Sequence, residues 1–244
     1  MITMEKQDKD ITNTMDNKWE FNEEVTNCFE EMLDRSIPNY KHMRELITNV
    51  GVNHIQSYSL YHTNILDIGS SQGRQIELLA DKLYSNNFFG IEISEPMVKY
   101  SRKKFQKNLN VQILKEDVTK KELPCTQCGL ITAILTIQFI PIEYRQKLLT
   151  NIYNSLHRNG LFIFVEKVIG DNYDFSQLYE DLYYNMKMQN GYTLQEIREK
   201  RLKLEGVLVP VTNEFNINLL KQAGFKKIEI FWKDLNFIGY LAMK

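Results

Sequence analysis

The chain predicts an α/β fold with a doubly wound, mostly parallel sheet, and three observations carry the prediction. The apolar run Asn64-Ile65-Leu66-Asp67-Ile68 ends on Gly69-Ser70-Ser71-Gln72-Gly73, the grammar of a strand, a tight turn and the opening of a helix. Strand-like and helix-like segments then alternate as far as residue 166, as parallel strands with right-handed crossovers require. Glu92 closes the second apolar run 23 positions after Gly69, which sets a carboxylate at a strand tip beside the turn.

Taken in order, residues 1–19 are polar and charged and read as a flexible tail before one body over 20–244. Asn22 is placed to cap a helix whose first turn carries Glu23 and Glu24, and Val25, Cys28, Phe29, Met32 and Leu33 share one face of it. Ser36-Ile37-Pro38 ends that helix, and Tyr40 opens a second one toward Val50, giving a helical N-terminal cover. Strands follow over 64–69, 88–93, 111–116, 130–137 and 161–166, with helices over 72–84, 95–107 and 143–157; His157-Arg158-Asn159-Gly160 supplies a glycine stop for the last. A helical insertion over 174–205 is rich in aromatic residues and Met, a composition that more often marks core or subunit contact than a ligand box. A helix over 213–223 ends at Gly224, and 227–232 with 236–243 reads as an antiparallel strand pair that completes seven strands.

Composition narrows the function. The 30 basic and 31 acidic side chains leave a formal charge of −1, so no general basic surface exists to neutralise a nucleic-acid backbone, and a small-molecule substrate is favoured. The longest apolar stretch, Leu130 to Ile142, is broken by Thr132, Thr136 and Gln138 and is too short to span a bilayer, while the N-terminus lacks the apolar core of a signal peptide. A cytoplasmic protein is expected. Cys125-Thr-Gln-Cys128 has the spacing of half a zinc site or of a redox pair, but no second Cys pair accompanies it and the four histidines are scattered, so no metal is expected.

Ligands in doubly wound sheets bind beyond the carboxyl ends of the strands, an edge that here holds Gly69, Glu92, Asp117 and Gln138. Gly69 lets a ligand approach the backbone, the helix after it offers free N–H groups, and Glu92 is placed to accept both hydroxyls of a ribose. Ser71 stands where a dinucleotide fingerprint needs its second glycine, and Gln72 crowds the place of a pyrophosphate. A nucleoside cofactor with a ribose clamp and no phosphate cradle is S-adenosylmethionine, and Asp67-Ile68-Gly69 resembles the opening motif of class I methyltransferases. A non-catalytic nucleoside-binding module shares this grammar. Asp117 is either a partner for an adenine amino group, with the Val118 N–H donating to the ring, or a plain turn carboxylate. Charge pattern alone makes Arg201 an ordinary exposed helix residue and Tyr40 a packing residue.

From Trp19 to Lys244 the chain resembles the carboxy-S-adenosylmethionine synthase family, class I methyltransferase relatives that serve wobble-uridine modification in bacterial tRNA. The resemblance rests on Phe21-Asn22-Glu23-Glu24-Val25, Asp34-Arg35-Ser36-Ile37-Pro38-Asn39-Tyr40, Asp67-Ile68-Gly69-Ser70-Ser71, Gln138-Phe139, Glu166-Lys167, Asn190-Gly191-Tyr192, Lys200-Arg201 and Asn236-Phe237. It implies a Rossmann-like class I methyltransferase fold, a homodimer, and cofactor contacts from Tyr40, Gly69, Ser70, Ser71, Glu92, Asp117, Val118 and Arg201. It further implies that Arg201, with Tyr40 a second catalytic candidate, holds a carboxylate added to the sulfonium methyl carbon, in a reaction that takes carbon dioxide from prephenate, a small anionic acid. The bound species would be S-adenosylmethionine, its carboxylated form or S-adenosylhomocysteine. At three places the chain departs from the family pattern. Ile134 replaces a cofactor-contacting Asn and is followed by Leu135 where an aromatic residue is usual; Ile93 takes a usually polar ribose-side position; and Asp234-Leu235 precedes Asn236 in a stretch that is more aromatic in relatives. An apolar residue at 134 also suits ordinary methyl transfer to a small acceptor, or intramolecular attack within the cofactor by a lyase or cyclase.

Overall fold

The computed structural model describes residues 18–244. The expected tail lies outside the described residues up to position 17, and its last residue belongs to the packed body instead. Trp19 is buried, meets Phe21 edge to face at 6.2 Å and donates its backbone N–H to the Lys203 carbonyl at 3.0 Å.

Helix α1 (Glu23–Ser36) starts where the Asn22 side chain accepts the Val25 N–H at 3.0 Å, with Glu23 and Glu24 at the positive end of its dipole. It buries Val25, Cys28, Phe29 and Met32. Helix α2 (Tyr40–Ser57) runs beyond Val50 because its apolar stripe continues through Ile47 to Ile55, both fully buried.

The sheet strands are β1 (Asn64–Ile68), β2 (Asn87–Glu92), β3 (Val111–Lys115), β4 (Cys128–Ile134) and β5 (Leu156–Ile169), then the two-residue β6 (Val211–Thr212), β7 (Lys227–Asp234) and β8 (Phe237–Met243). Crossovers are made by α3 (Arg74–Ala80), α4 (Glu95–Lys104) and α5 (Ile142–Ser155); α6 (Tyr173–Gln189) and α7 (Leu194–Leu204) follow β5, and α8 (Asn213–Ala223) precedes β7. The spatial order is β3-β2-β1-β4-β5-β8-β7, parallel through β5, with β8 antiparallel to both neighbours and β6 beside the end of β5. This is the class I methyltransferase arrangement. One apolar layer packs Ile47, Leu79, Phe88 and Leu130 against one face of the sheet, and a second packs Leu66, Leu149, Phe162 and Tyr240 against the other. Strands covered on both sides read as continuous apolar runs, which is why β4 is buried at every position.

Three further differences from expectation each have a tertiary reason. β4 stops at Ile134 rather than 137: Leu135 turns left-handed at φ +58, and Ile137–Phe139 forms a single 3-10 turn. The carboxylate of Glu166, on β5, draws the backbone aside by accepting the N–H groups of Ile137 at 2.9 Å and Gln138 at 2.6 Å. Gly160 stops no helix. α5 ends at Ser155 and Gly160 lies inside β5, where a Cβ would sit 2.5 Å from the Cys128 carbonyl oxygen. The insertion over 174–205 is two helices broken at Asn190-Gly191, and α7 restarts on a capping box between Thr193 and Glu196. Arg35 of α1 clasps that break, with Nε donating to the Asn190 carbonyl at 2.9 Å and the Asn190 amide returning a bond to the Arg35 carbonyl at 3.0 Å.

Candidate cofactor site

The carboxyl ends of β1, β2 and β4 open on one cavity of about 990 Å³, roofed by α6 and α7 and walled on one side by α1. Of the residues expected there, Gly69, Ser71, Glu92, Ile93, Asp117, Val118, Ile134 and Arg201 line it, whereas Tyr40 and Ser70 do not.

The turn after β1 is built by Gly69. Its φ is +69, and a Cβ there would lie 2.4 Å from the Thr136 side chain, so a glycine is required on both counts. The free N–H groups were expected of the helix that follows Gly69; the amides of the turn ahead of it are largely taken within the fold. The Gly69 and Ser70 amides donate to the Ile91 carbonyl at 2.8 and 3.0 Å, and the Ser71 amide donates to Glu92 at 3.0 Å. With these three amides taken, the turn makes a poor phosphate cradle. Gln72 also points away from the cavity and fastens the turn to α1 through the Thr26 carbonyl. The Ser70 hydroxyl is buried behind the turn and bonds to no other described residue.

Glu92 is the hub. One oxygen takes the Ser71 N–H, and the other takes the N–H groups of Ile93 and Ser94, each at 2.8 Å. Burial holds its pKa above the ordinary range, with the amides of Ser94, Ser71 and Ile93 pulling the other way. An ionised carboxylate has about four acceptor sites, so capacity remains for a ribose hydroxyl. Ile93 is 60% exposed, an apolar edge beside that hub. Asp117 spends one oxygen on the amide and hydroxyl of Thr119, at 3.0 and 2.6 Å, and the other on Lys120 at 3.0 Å. Burial pushes its carboxyl up, but Thr119 and Lys120 outweigh it and leave it below the usual range.

Beneath the turn, Asp67 is buried and accepts from the Thr132 hydroxyl at 2.7 Å; burial pushes its pKa up to about 6, against Thr132 and the Arg44 charge. The Tyr40 hydroxyl lies 3.2 Å from Glu30 and accepts from Arg44 Nε at 3.1 Å, and it is Arg44 that reaches the cavity wall. Arg201 projects from α7 with its side chain 67% exposed, held through Nη1 by Glu180 at 2.8 Å and the Tyr184 hydroxyl at 3.2 Å. Ile134 and Leu135, both buried, give the tip of β4 a hydrocarbon surface. Cys125 and Cys128 lie elsewhere, their sulfurs 3.5 Å apart and away from the cavity.

Sequence reasoning assigned no role to Arg44, Glu166 or Lys167, since isolated charges inside apolar elements carry no local signature. Glu166 has a testable consequence. Burial pushes its pKa up to about 8, against the Gln138 and Ile137 amides and the Arg145 charge, from 4.5 in an open chain. Between those values the folded protein binds the extra proton, so this contribution to stability is complete below the lower value and is lost as pH rises through the upper one. The thermal unfolding midpoint should therefore be higher at about pH 6.5 than at about pH 8.5, and Glu166→Gln should flatten that difference. A wild-type midpoint that rises with pH across this interval would contradict the assignment.

A family model described as a methyltransferase domain matches residues 66–164. A carboxy-S-adenosyl-L-methionine synthase from Nautilia profundicola is 36% identical over 98% of this chain and 100% of its own length, and one from Staphylococcus epidermidis is 35% identical over 93% and 97%. Among solved structures, an S-adenosylmethionine-dependent methyltransferase from Aquifex aeolicus superposes with a TM-score of 0.56 at 16% identity, covering 92% of this chain and 99% of that one. PigF, solved with S-adenosylhomocysteine, superposes with a TM-score of 0.58 at 16% identity over 91% of this chain and 60% of its own. The fold is thus that of an S-adenosylmethionine-using enzyme, and near full-length identity narrows it further: the chain belongs to the carboxy-S-adenosyl-L-methionine synthase family.

Proposed function

We propose that the chain makes carboxy-S-adenosylmethionine from S-adenosylmethionine and prephenate. The observation that carries this reading is Arg201, a guanidinium on the cavity roof with one nitrogen committed to Glu180 and Tyr184 and its other donors available for a carboxylate. The residues fit the cofactor: Glu92 retains acceptor capacity for the ribose, Asp117 and Val118 line the same cavity and are available to an adenine edge, and three of the turn's amides are already taken. The cofactor supplies an acidic sulfonium methyl, which gives its proton to the hydroxide lost from prephenate, forming water, and takes up the carbon dioxide released as phenylpyruvate forms. The protein's part is to orient both reactants and to hold charge. Tyr40 enters through Arg44, which it keeps at the cavity wall.

The partner is a small anionic metabolite and the setting cytoplasmic, in keeping with a near-zero net charge and with no described helix long and apolar enough to cross a membrane. A homodimer through α6 is supported by Phe175, Leu178 and Leu182, exposed apolar residues at helical spacing on one face. Incubation with S-adenosylmethionine and prephenate, read by mass spectrometry, should yield a cofactor heavier by carbon dioxide, together with phenylpyruvate. The second reading, methyl transfer to a small acceptor, is favoured by the apolar Ile134 and Leu135. It would be chosen if no phenylpyruvate forms and S-adenosylhomocysteine accumulates with another acceptor.

A further inference from the structure

β5 delivers a further cation to the cavity wall, Lys167, which has no task in the reading above. Its backbone is fixed, since its N–H donates to the Gln138 side-chain oxygen at 2.8 Å. Its ammonium rests 4.7 Å from the centre of the Tyr183 ring, and no hydrogen bond or ion pair from another described residue reaches Nζ. The carboxylate that acts on it, Glu180, is engaged through Oε1 by Arg201 at 2.8 Å and by the Tyr184 hydroxyl at 2.7 Å. Burial holds the Lys167 pKa below the ordinary lysine range, Glu180 drawing it back up and Arg201 pressing it further down.

A half-buried ammonium that makes no ion pair is costly, and the cost is removed when an anion arrives. Other cations of this wall differ: Lys187 lies over the rings of both Tyr183 and Tyr192, and Lys200 over those of Trp19 and Tyr192. Ile134 and Leu135 offer no polar alternative at the tip of the neighbouring strand. We propose that Lys167, backed by the Tyr183 ring, binds the carboxylate that the acidic substrate keeps throughout the reaction, while Arg201 receives the one that is transferred. The site thus selects a small acid with two carboxylates. The identity of that acid rests on the function proposed above.

The test is binding to protein saturated with S-adenosylhomocysteine, so that no turnover is needed. Calorimetry with prephenate, and separately with phenylpyruvate, is compared between wild type, Lys167→Met and Lys167→Arg. Lys167→Met should weaken both acids by about tenfold to a hundredfold, the range of one charge-assisted contact, and Lys167→Arg should restore most of the affinity. Unaltered S-adenosylhomocysteine affinity in both variants shows that the pocket is intact. Three results overturn the assignment: no measurable prephenate binding to wild type, prephenate affinity unchanged in Lys167→Met, or loss for prephenate with none for phenylpyruvate. A parallel loss of S-adenosylhomocysteine binding would make Lys167 structural and overturn it as well. Lys167-dependent binding without formation of carboxylated cofactor would sink the proposed reaction and leave this anion subsite standing.

Discussion

Glu92→Gln should cost about a hundredfold or more in affinity for S-adenosylhomocysteine, measured by calorimetry, because one substitution disrupts both the ligand clamp and the scaffold behind it. The carboxylate takes three backbone N–H groups, from Ser71, Ile93 and Ser94. A glutamine has a single carbonyl oxygen, and its amide nitrogen would face an N–H that also needs an acceptor. Each charge-assisted bond contributes about 1.5 to 3 kcal/mol, so losing one from the turn and one from a ribose hydroxyl accounts for the effect. Affinity within about threefold of wild type would show that the ribose is held elsewhere.

Arg201→Ala should separate two ligands that differ only at the reactive end. Affinity for carboxylated cofactor should fall by about tenfold to a hundredfold, and that for S-adenosylhomocysteine by less than about twofold. The separation is expected because Arg201 is surface-exposed and its side-chain contacts, Glu180 and Tyr184, are both on α6 and belong neither to the turn nor to the Glu92 hub. Removing it leaves that machinery intact. Arg201→Lys should recover only part of the loss, since a point charge cannot grip both carboxylate oxygens. Equal losses for both ligands would make Arg201 a helix-packing residue.

Much of this architecture was legible in the residues, and the exceptions share a cause. The strand, turn and carboxylate of Gly69 and Glu92 follow from local periodicity and spacing, and the structure brings both to one cavity. Arg201 was visible only through family resemblance, because its sequence neighbours look like any solvated helix face. Lys167 stood out only within a family motif and without a role, and Arg44 gave no signal, since their position at a cavity wall is decided by strand order and helix packing. Gly160 misled for the reverse reason: Asn-Gly is a good helix stop, but close approach to the Cys128 carbonyl set its place instead. The break at Asn190-Gly191 was legible in principle, because Thr193 and Glu196 spell a capping box that reading the insertion as one helical block passed over.

The cavity draws walls from Trp19 and Phe21 near one end of the described chain and from Asn236 and Phe237 near the other. A nascent polypeptide therefore acquires its ligand-binding competence only after Asn236 and Phe237 have left the ribosome, however early the first strands pair.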